Sequence, residues 1–197
     1  MKAVVYKQYG PPEVAKLQEL EKPRPKENEI LIKVYATTVN RTDSGFRSAE
    51  YFVSRFWSGL IRPKLQVLGC EFAGIVEETG PGVTLFKAGD KVFGYDDGHF
   101  GGHAEYKVIA ENGPVAHLPE NLDFYEAAPA TEGSHYALYS IRAAGVEPGQ
   151  NGAGVRSHGS HRLSGGSAAE AFRSAGYRRM QYQKCVVTKI SRRRQRH

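Results

Sequence analysis

Few side chains in this chain could do chemistry. Cys70 and Cys185 are its only cysteines, too few for a disulfide framework or a cysteine-rich zinc site. Cys70 could join His99 and His103 around a metal, but the GH and GGH surroundings of those histidines read as loop or pocket positions. No base is evident beside Cys70, so it reads as a small buried residue, not a nucleophile. Its neighbour Glu71 suits hydrogen-bond bracing of a pocket better than acid–base work. Asn40 carries an amide that both donates and accepts hydrogen bonds; it could serve a site, or equally cap a helix at Thr42. Phe46, Tyr51, Phe52, Phe56 and Trp57 follow as an aromatic cluster. They suit either helix and loop packing or a hydrophobic lid over a flat aromatic substrate.

The elements that must position these groups are short strands with turn punctuation. Met1–Tyr6 is a compact apolar run, and Glu29–Val39 is rich in the Ile, Val, Tyr and Thr that suit a pleated surface. Leu65–Thr79 reads as two strands hinged at glycines. Gly80–Gly82 turns the chain, GDKVFGY follows, and Ala104–Ala110 and Pro114–Leu118 read as two more strands around an ENG turn. Helical pattern is scarce before Asp123–Ala144, where a helix can run before and after an interruption at Pro129 and Gly133. The glycines at 69, 74, 80, 82, 89 and 94 suit turns and close strand packing rather than phosphate binding. The fold class expected is mainly β, a barrel or sandwich.

Charge divides the chain. The whole carries a net +6 and a pI near 9.3. Residues 1–151 hold 16 Lys and Arg against 20 Asp and Glu, a net of −4. Residues 152–197 hold 11 against the single acid Glu170, a net of +10. A basic tail binds polyanions in a salt-dependent way, yet no recognition fold or aromatic interleaving accompanies Arg192–Arg194, so a nucleic-acid partner is not expected. No stretch approaches the roughly 20 apolar residues of a membrane-spanning helix, and the N-terminus turns polar too soon for a secretory signal. The expectation is a cytoplasmic protein with no membrane partner.

Several ordered motifs carry a resemblance: GPPEV near the start, VNRTD at Val39–Asp43, GCEFAGIVEETGPGVTLFKAGDKVFGY at Gly69–Tyr95, GGHAEY at Gly101–Tyr106, and EAAPATEGSHYAL at Glu126–Leu138. Over residues 1 to about 151 the chain resembles the catalytic domain of the medium-chain dehydrogenase/reductase superfamily, in its zinc-independent, quinone oxidoreductase-like branch. The resemblance implies a GroES-like, partly open β-barrel over residues 1–125 and a helical junction over 126–151. In intact members a Rossmann domain holding NAD(P)H follows. In the superfamily's zinc alcohol dehydrogenases a Cys precedes the Thr-Asp pair and a His precedes the Glu; here those positions resemble Asn40 and Cys70. No metal is therefore expected. A quinone or enone takes hydride at carbon with little help, so a small-molecule carbonyl or quinone is the implied substrate. The resemblance implies that Asn40 positions substrate and nicotinamide. It also implies that Thr42, Phe46, Tyr51, Cys70, Glu71 and Phe100 form the pocket, and that Thr131, Ser134 and Tyr136 meet the cofactor. A homodimer is consistent with the branch.

A dinucleotide site needs a strand, a glycine-rich turn and a helix N-terminus. Residues 152–197 hold glycines but no apolar strand before them, so they do not form that fingerprint. Their few large aliphatic residues and high charge lead us to expect a disordered tail. Read one base later, their nucleotides could encode VLVYGATGAIGSAAVQLLKHFGA, which would be the missing strand, turn and helix. Arg156, Gly159 and Arg162 all have codons compatible with the three glycines of GATGAIG. The expectation is a frame change near Asn151 and a truncated, inactive, cofactor-free oxidoreductase; the alternative is a lone GroES-like module that holds a ligand or protein.

Overall fold

The computed structural model describes residues 1–50 and 52–143. The expected disordered tail, and Tyr51, lie outside the described residues. These fall into two compact units, the first being Met1–Ala128 and the second beginning at Pro129.

The first unit is built on an antiparallel five-stranded sheet whose order is β6-β3-β4-β5-β7. Its strands are β3 (Glu29–Thr37), β4 (Glu71–Thr79), β5 (Lys91–Tyr95), β6 (Tyr106–Ala110) and β7 (Val115–His117). A separate two-stranded sheet pairs β1 (Lys2–Val5) with β2 (Lys16–Glu19) and touches the rest through bridges Ala3–Ala104 and Val5–Val67. The sheets are open rather than closed into a barrel. β2 escapes the sequence reading because KLQE carries little apolar signal; its pairing with β1 supplies the order. Leu65–Thr79 yields one long strand rather than two, since Leu68–Cys70 turns into the site before β4 begins.

Period two explains the core. Ile30 and Ile32 of β3, Phe72 and Val76 of β4, Val92 of β5 and Ile109 of β6 share one face and form one buried cluster. Burial of each such side chain contributes about 1.5–3 kcal/mol. The opposite face of the two central strands places Ala36 and Ala73 beneath Ala127 and Ala128, with Phe93, Leu118 and Phe124 around them. The small alanines let the short helix α3 (Phe124–Ala127) approach the sheet closely. Registers shift between Leu31 and Ile32 and again between Val34 and Ala36. Such bulges sharpen the strand's twist and re-aim its end, here toward Thr37 and Thr38.

Helices are short. They include α1 (Arg41–Ser48) and α2 (Arg55–Ser58), both earlier than the scarce helical pattern of the first 120 residues suggests. The Asp123–Ala144 region divides at Pro129, as expected, into α3 and α4 (Thr131–Ala143). Gly133 lies inside α4 and does not break it.

Candidate active site

The site forms where β3 ends, β4 begins and α1 starts. Asn40 is the N-cap of α1: its Oδ1 accepts from Asp43 N–H at 3.0 Å, and Asp43 Oδ2 accepts from Asn40 N–H at 3.2 Å. This reciprocal capping box satisfies two otherwise orphaned donors. The remaining half of the Asn40 amide points across to β4. Its Nδ2 donates to Cys70 Sγ at 3.0 Å and to Glu71 Oε2 at 3.4 Å. Asn40 therefore caps α1 with one half of its amide and holds the other half against Cys70 and Glu71.

Glu71 is 3% exposed. The Thr38 hydroxyl makes a short hydrogen bond to its Oε2, while Thr37 Oγ1 donates to its main-chain oxygen at 2.7 Å. A buried carboxyl group that accepts from an amide and a hydroxyl ties the end of β3 and the start of α1 to β4. Asp43 sits at the centre of a second set of bonds. Its Oδ1 accepts from Gly69 N–H at 2.9 Å, and His103 Nε2 lies 3.7 Å from its Oδ2. Burial pushes the Asp43 carboxyl above the usual range; His103 and the amides of Gly69, Asn40 and Cys70 offset this only in part. His103 Nε2 is 2.7 Å from the Thr38 carbonyl. A carbonyl only accepts, so this ring nitrogen carries the proton. Gly69 is required where it stands: its φ is +94°, and a Cβ there would lie 2.4 Å from His103 N.

Cys70 is fully buried with Tyr6, Leu68, Tyr95 and Phe100, against which Phe46 packs. The Phe46 and Phe100 rings are 4.9 Å apart at 59°. A cavity of about 180 Å³ opens beside this cluster, lined by Tyr6, Val39, Asp43, Arg47, Leu68 and His103 among others. Burial, with Tyr9 and Asp43 nearby, pushes the Tyr6 phenol upward. The loop after β5 is tied in by an ion pair between Asp96 and Lys107, N to O 2.8 Å.

The structure thus brings Asn40, Cys70 and Glu71 into direct contact and places Phe46 and Phe100 behind them. Thr42 is half-buried on the first turn of α1. The aromatic cluster divides. Phe46 packs, whereas Phe52, Phe56 and Trp57 are 66%, 62% and 73% exposed, which ordinary packing does not describe. Thr131, Ser134 and Tyr136 lie along α4 in the second unit, with Tyr136 partly exposed. The His99 side chain is almost wholly exposed. Among the described residues no group of three or more His, Cys, Asp and Glu side chains is placed to hold a metal ion. Thr38 and Asp43 were not singled out for the pocket by their sequence, and His103 was read only as a loop or pocket position. Asp43 had a signal, the three-residue spacing of a capping box from Asn40; Thr38 and His103 become its neighbours only through the fold.

Residues 26–120 match the alcohol dehydrogenase GroES-like domain. The chain is 40% identical to the quinone oxidoreductase of Rattus norvegicus over 130 residues, 65% of this chain and 36% of that protein. It is 36% identical to the quinone oxidoreductase of Homo sapiens over 180 residues, 89% of this chain and 50% of that protein. Among solved structures, the quinone oxidoreductase from Coxiella burnetii aligns with a TM-score of 0.66 at 32% identity, covering 76% of this chain and 46% of that one. The Escherichia coli quinone oxidoreductase complexed with NADPH aligns with a TM-score of 0.63 at 28% identity, covering 75% and 43%. The chain spans between a third and a half of the length of these curated relatives. With its open, mainly β architecture and its capped turn at Asn40, the chain belongs to the medium-chain dehydrogenase/reductase superfamily and carries the GroES-like domain of its N-terminal part.

Proposed function

We propose that this chain derives from a zinc-independent NAD(P)-dependent oxidoreductase that reduces a quinone, an enone or another carbonyl. The observation that carries this reading is the bond from Asn40 Nδ2 to Cys70 Sγ and Glu71 Oε2. The two positions that resemble zinc ligands of the alcohol dehydrogenases are here bonded to each other, so the donor set is one of hydrogen bonds. Amide, hydroxyl and carboxylate groups held by the fold suit a substrate whose negative charge delocalises as it forms. Asn40 positions substrate and nicotinamide, and its orientation is fixed before either arrives, so little ordering cost remains at binding. Thr42 and Glu71 stand around it, and Phe46, Cys70 and Phe100 form an apolar floor.

NAD(P)H, when bound, supplies the hydride. Asn40 would meet its nicotinamide end; Thr131, Ser134 and Tyr136 of α4 are the further cofactor contacts that the resemblance implies. The sequence of residues 152–197 has no apolar run ahead of its glycines, so it lacks the fingerprint that would hold the pyrophosphate. The 197-residue chain itself is therefore inactive and does not hold the cofactor. Domain 1–125 is catalytic, 126–151 a junction, and 152–197 a basic tail that follows a change of reading frame.

Titration of the 197-residue chain with NADPH and with NADH is expected to show no saturable micromolar binding. The protein read from the shifted frame after Asn151 is expected to bind one of them and to oxidise it when a quinone is added. Submicromolar binding by the 197-residue chain would overturn the loss of the cofactor site. A shifted-frame protein that binds cofactor yet reduces no quinone, enone or aldehyde would overturn the oxidoreductase reading.

A further inference from the structure

Lys107 and Asp96 are buried, at 3% and 4% exposed, and neither belongs to the pocket described above. Lys107 stands on β6, its ammonium 5.3 Å from the centre of the Phe72 ring. It donates to Asp96 Oδ2 at 2.8 Å and makes a short bond to the Phe100 carbonyl. Asp96 is anchored in turn: its amide donates to the Cys70 carbonyl at 2.7 Å, and its own carbonyl accepts from Phe100 N–H at 3.1 Å. Phe100 has a φ of +56°, a left-handed conformation that an L residue holds only when its surroundings impose it. Beyond it, Gly101, Gly102 and His103 donate in succession to the carbonyls of Val67, Gly69 and Leu68. The segment 96–103 thus lies along 67–70 and delivers Phe100 to Cys70 and Phe46, and His103 to Thr38 and Asp43.

We propose that Lys107, paired with Asp96, is a positioning residue: its ammonium holds the Phe100 carbonyl and so fixes the aromatic wall and the His103 clamp of the candidate site. The assignment rests on the reading of that site as a quinone pocket. A buried cation is a costly choice for a strand facing an apolar core, since apolar side chains of similar volume are often as stable or more so. Its position is explained by what it holds, a main-chain oxygen in a strained loop that an apolar side chain would leave without a donor.

The test compares the wild-type 197-residue chain with Lys107→Met and with the double variant Asp96→Asn, Lys107→Met. Lys107→Met leaves the buried Asp96 without its lysine, held only by the bonds of His99 to its Oδ1, and is expected to unfold readily. The double variant is neutral and of similar volume, and is expected to fold. Two readouts separate positioning from bulk stability. Amide exchange at Gly101, Gly102 and His103 is expected to quicken by about tenfold or more in the double variant, as a charged hydrogen bond is lost. Menadione binding, followed by quenching of the sole tryptophan, Trp57, is expected to weaken by a similar factor. A double variant with wild-type exchange at these amides overturns the positioning role, whatever it does to binding. A wild-type chain that does not bind menadione, with loop exchange quickened as stated, supports the positioning role and overturns the quinone reading alone. A double variant with faster exchange and unchanged menadione affinity overturns the link between loop and site.

Discussion

At Asn40 a single amide serves two elements. One edge caps α1 and the other bonds the start of β4, so its variants separate the two tasks. Asn40→Ala removes both and is expected to cost about 1 kcal/mol or more in urea denaturation. Asn40→Asp keeps the acceptor for Asp43 N–H but sets a carboxylate where Nδ2 lies 3.4 Å from Glu71 Oε2. Two facing carboxylates raise the proton affinity of the folded pair. The folded state then binds protons more tightly than the unfolded one, and stability falls as pH rises through the carboxylate range. Denaturation midpoints of Asn40→Asp are therefore expected to drop relative to Asn40→Ala between about pH 4 and about pH 7. A constant difference across that range would show that the two side chains are not in contact.

Among the elements, the central pair β3 and β4 carries the site, and the pairing depends on a close approach. A Cβ on Gly74 would lie 2.1 Å from the Lys33 carbonyl and 3.0 Å from Ile32 Cγ2, at the register shift that turns β3 toward Thr38. Gly74→Ala is expected to destabilise by about 1–3 kcal/mol or more. Gly45, inside α1, has nothing within 4 Å of where its Cβ would be. Gly45→Ala is expected to stabilise by about 0.5–1 kcal/mol through helix propensity and a less free unfolded chain. Urea midpoints of the two variants, moving in opposite directions, check both. The sequence reading grouped Gly74 with glycines that serve close packing, and that grouping suits it; which atom it approaches is a matter of register.

For the whole molecule, the buried groups Asp96, Lys107 and Asp43 each make stability depend on pH. Burial pushes Asp96 up, but the charge and hydrogen bond of Lys107 outweigh this and hold it below the usual carboxylate range. A depressed carboxyl contributes stability above its unfolded value near 3.9, and that stability is lost as pH falls through the folded value. Burial pushes Lys107 down despite Asp96. The unfolded chain then holds that proton more tightly, a penalty present at neutral pH and relieved only as pH rises toward about 10.4. Asp43, raised by burial, has the reverse carboxylate sign: its contribution falls as pH rises from about 3.9 through its folded value. The double variant Asp96→Asn, Lys107→Met removes the first two and leaves Asp43. Wild type is therefore expected to lose more stability than the double variant between about pH 6 and about pH 3, in parallel urea titrations. Equal losses would remove Asp96 as an acid-sensitive group.

Much of the architecture was legible in the residues. Alternating Ile, Val and Phe in Glu29–Val39 and around Phe72 mark strands because a strand's faces repeat every two residues. The Asn40–Asp43 spacing marks a helix start, and Pro129 marks a break, because capping and proline geometry are local effects. Ordered motifs also identified the superfamily. What only tertiary structure decided was which distant groups meet. The bonds of His103 to Thr38, Lys107 to Asp96 and Phe100, and Asn40 to Cys70 depend on strand register, on bulges in β3, and on a loop led through a left-handed Phe100. None of these has a periodic or local signature. The chemistry of the side chains was present in the sequence; their partners were set by sheet pairing and burial.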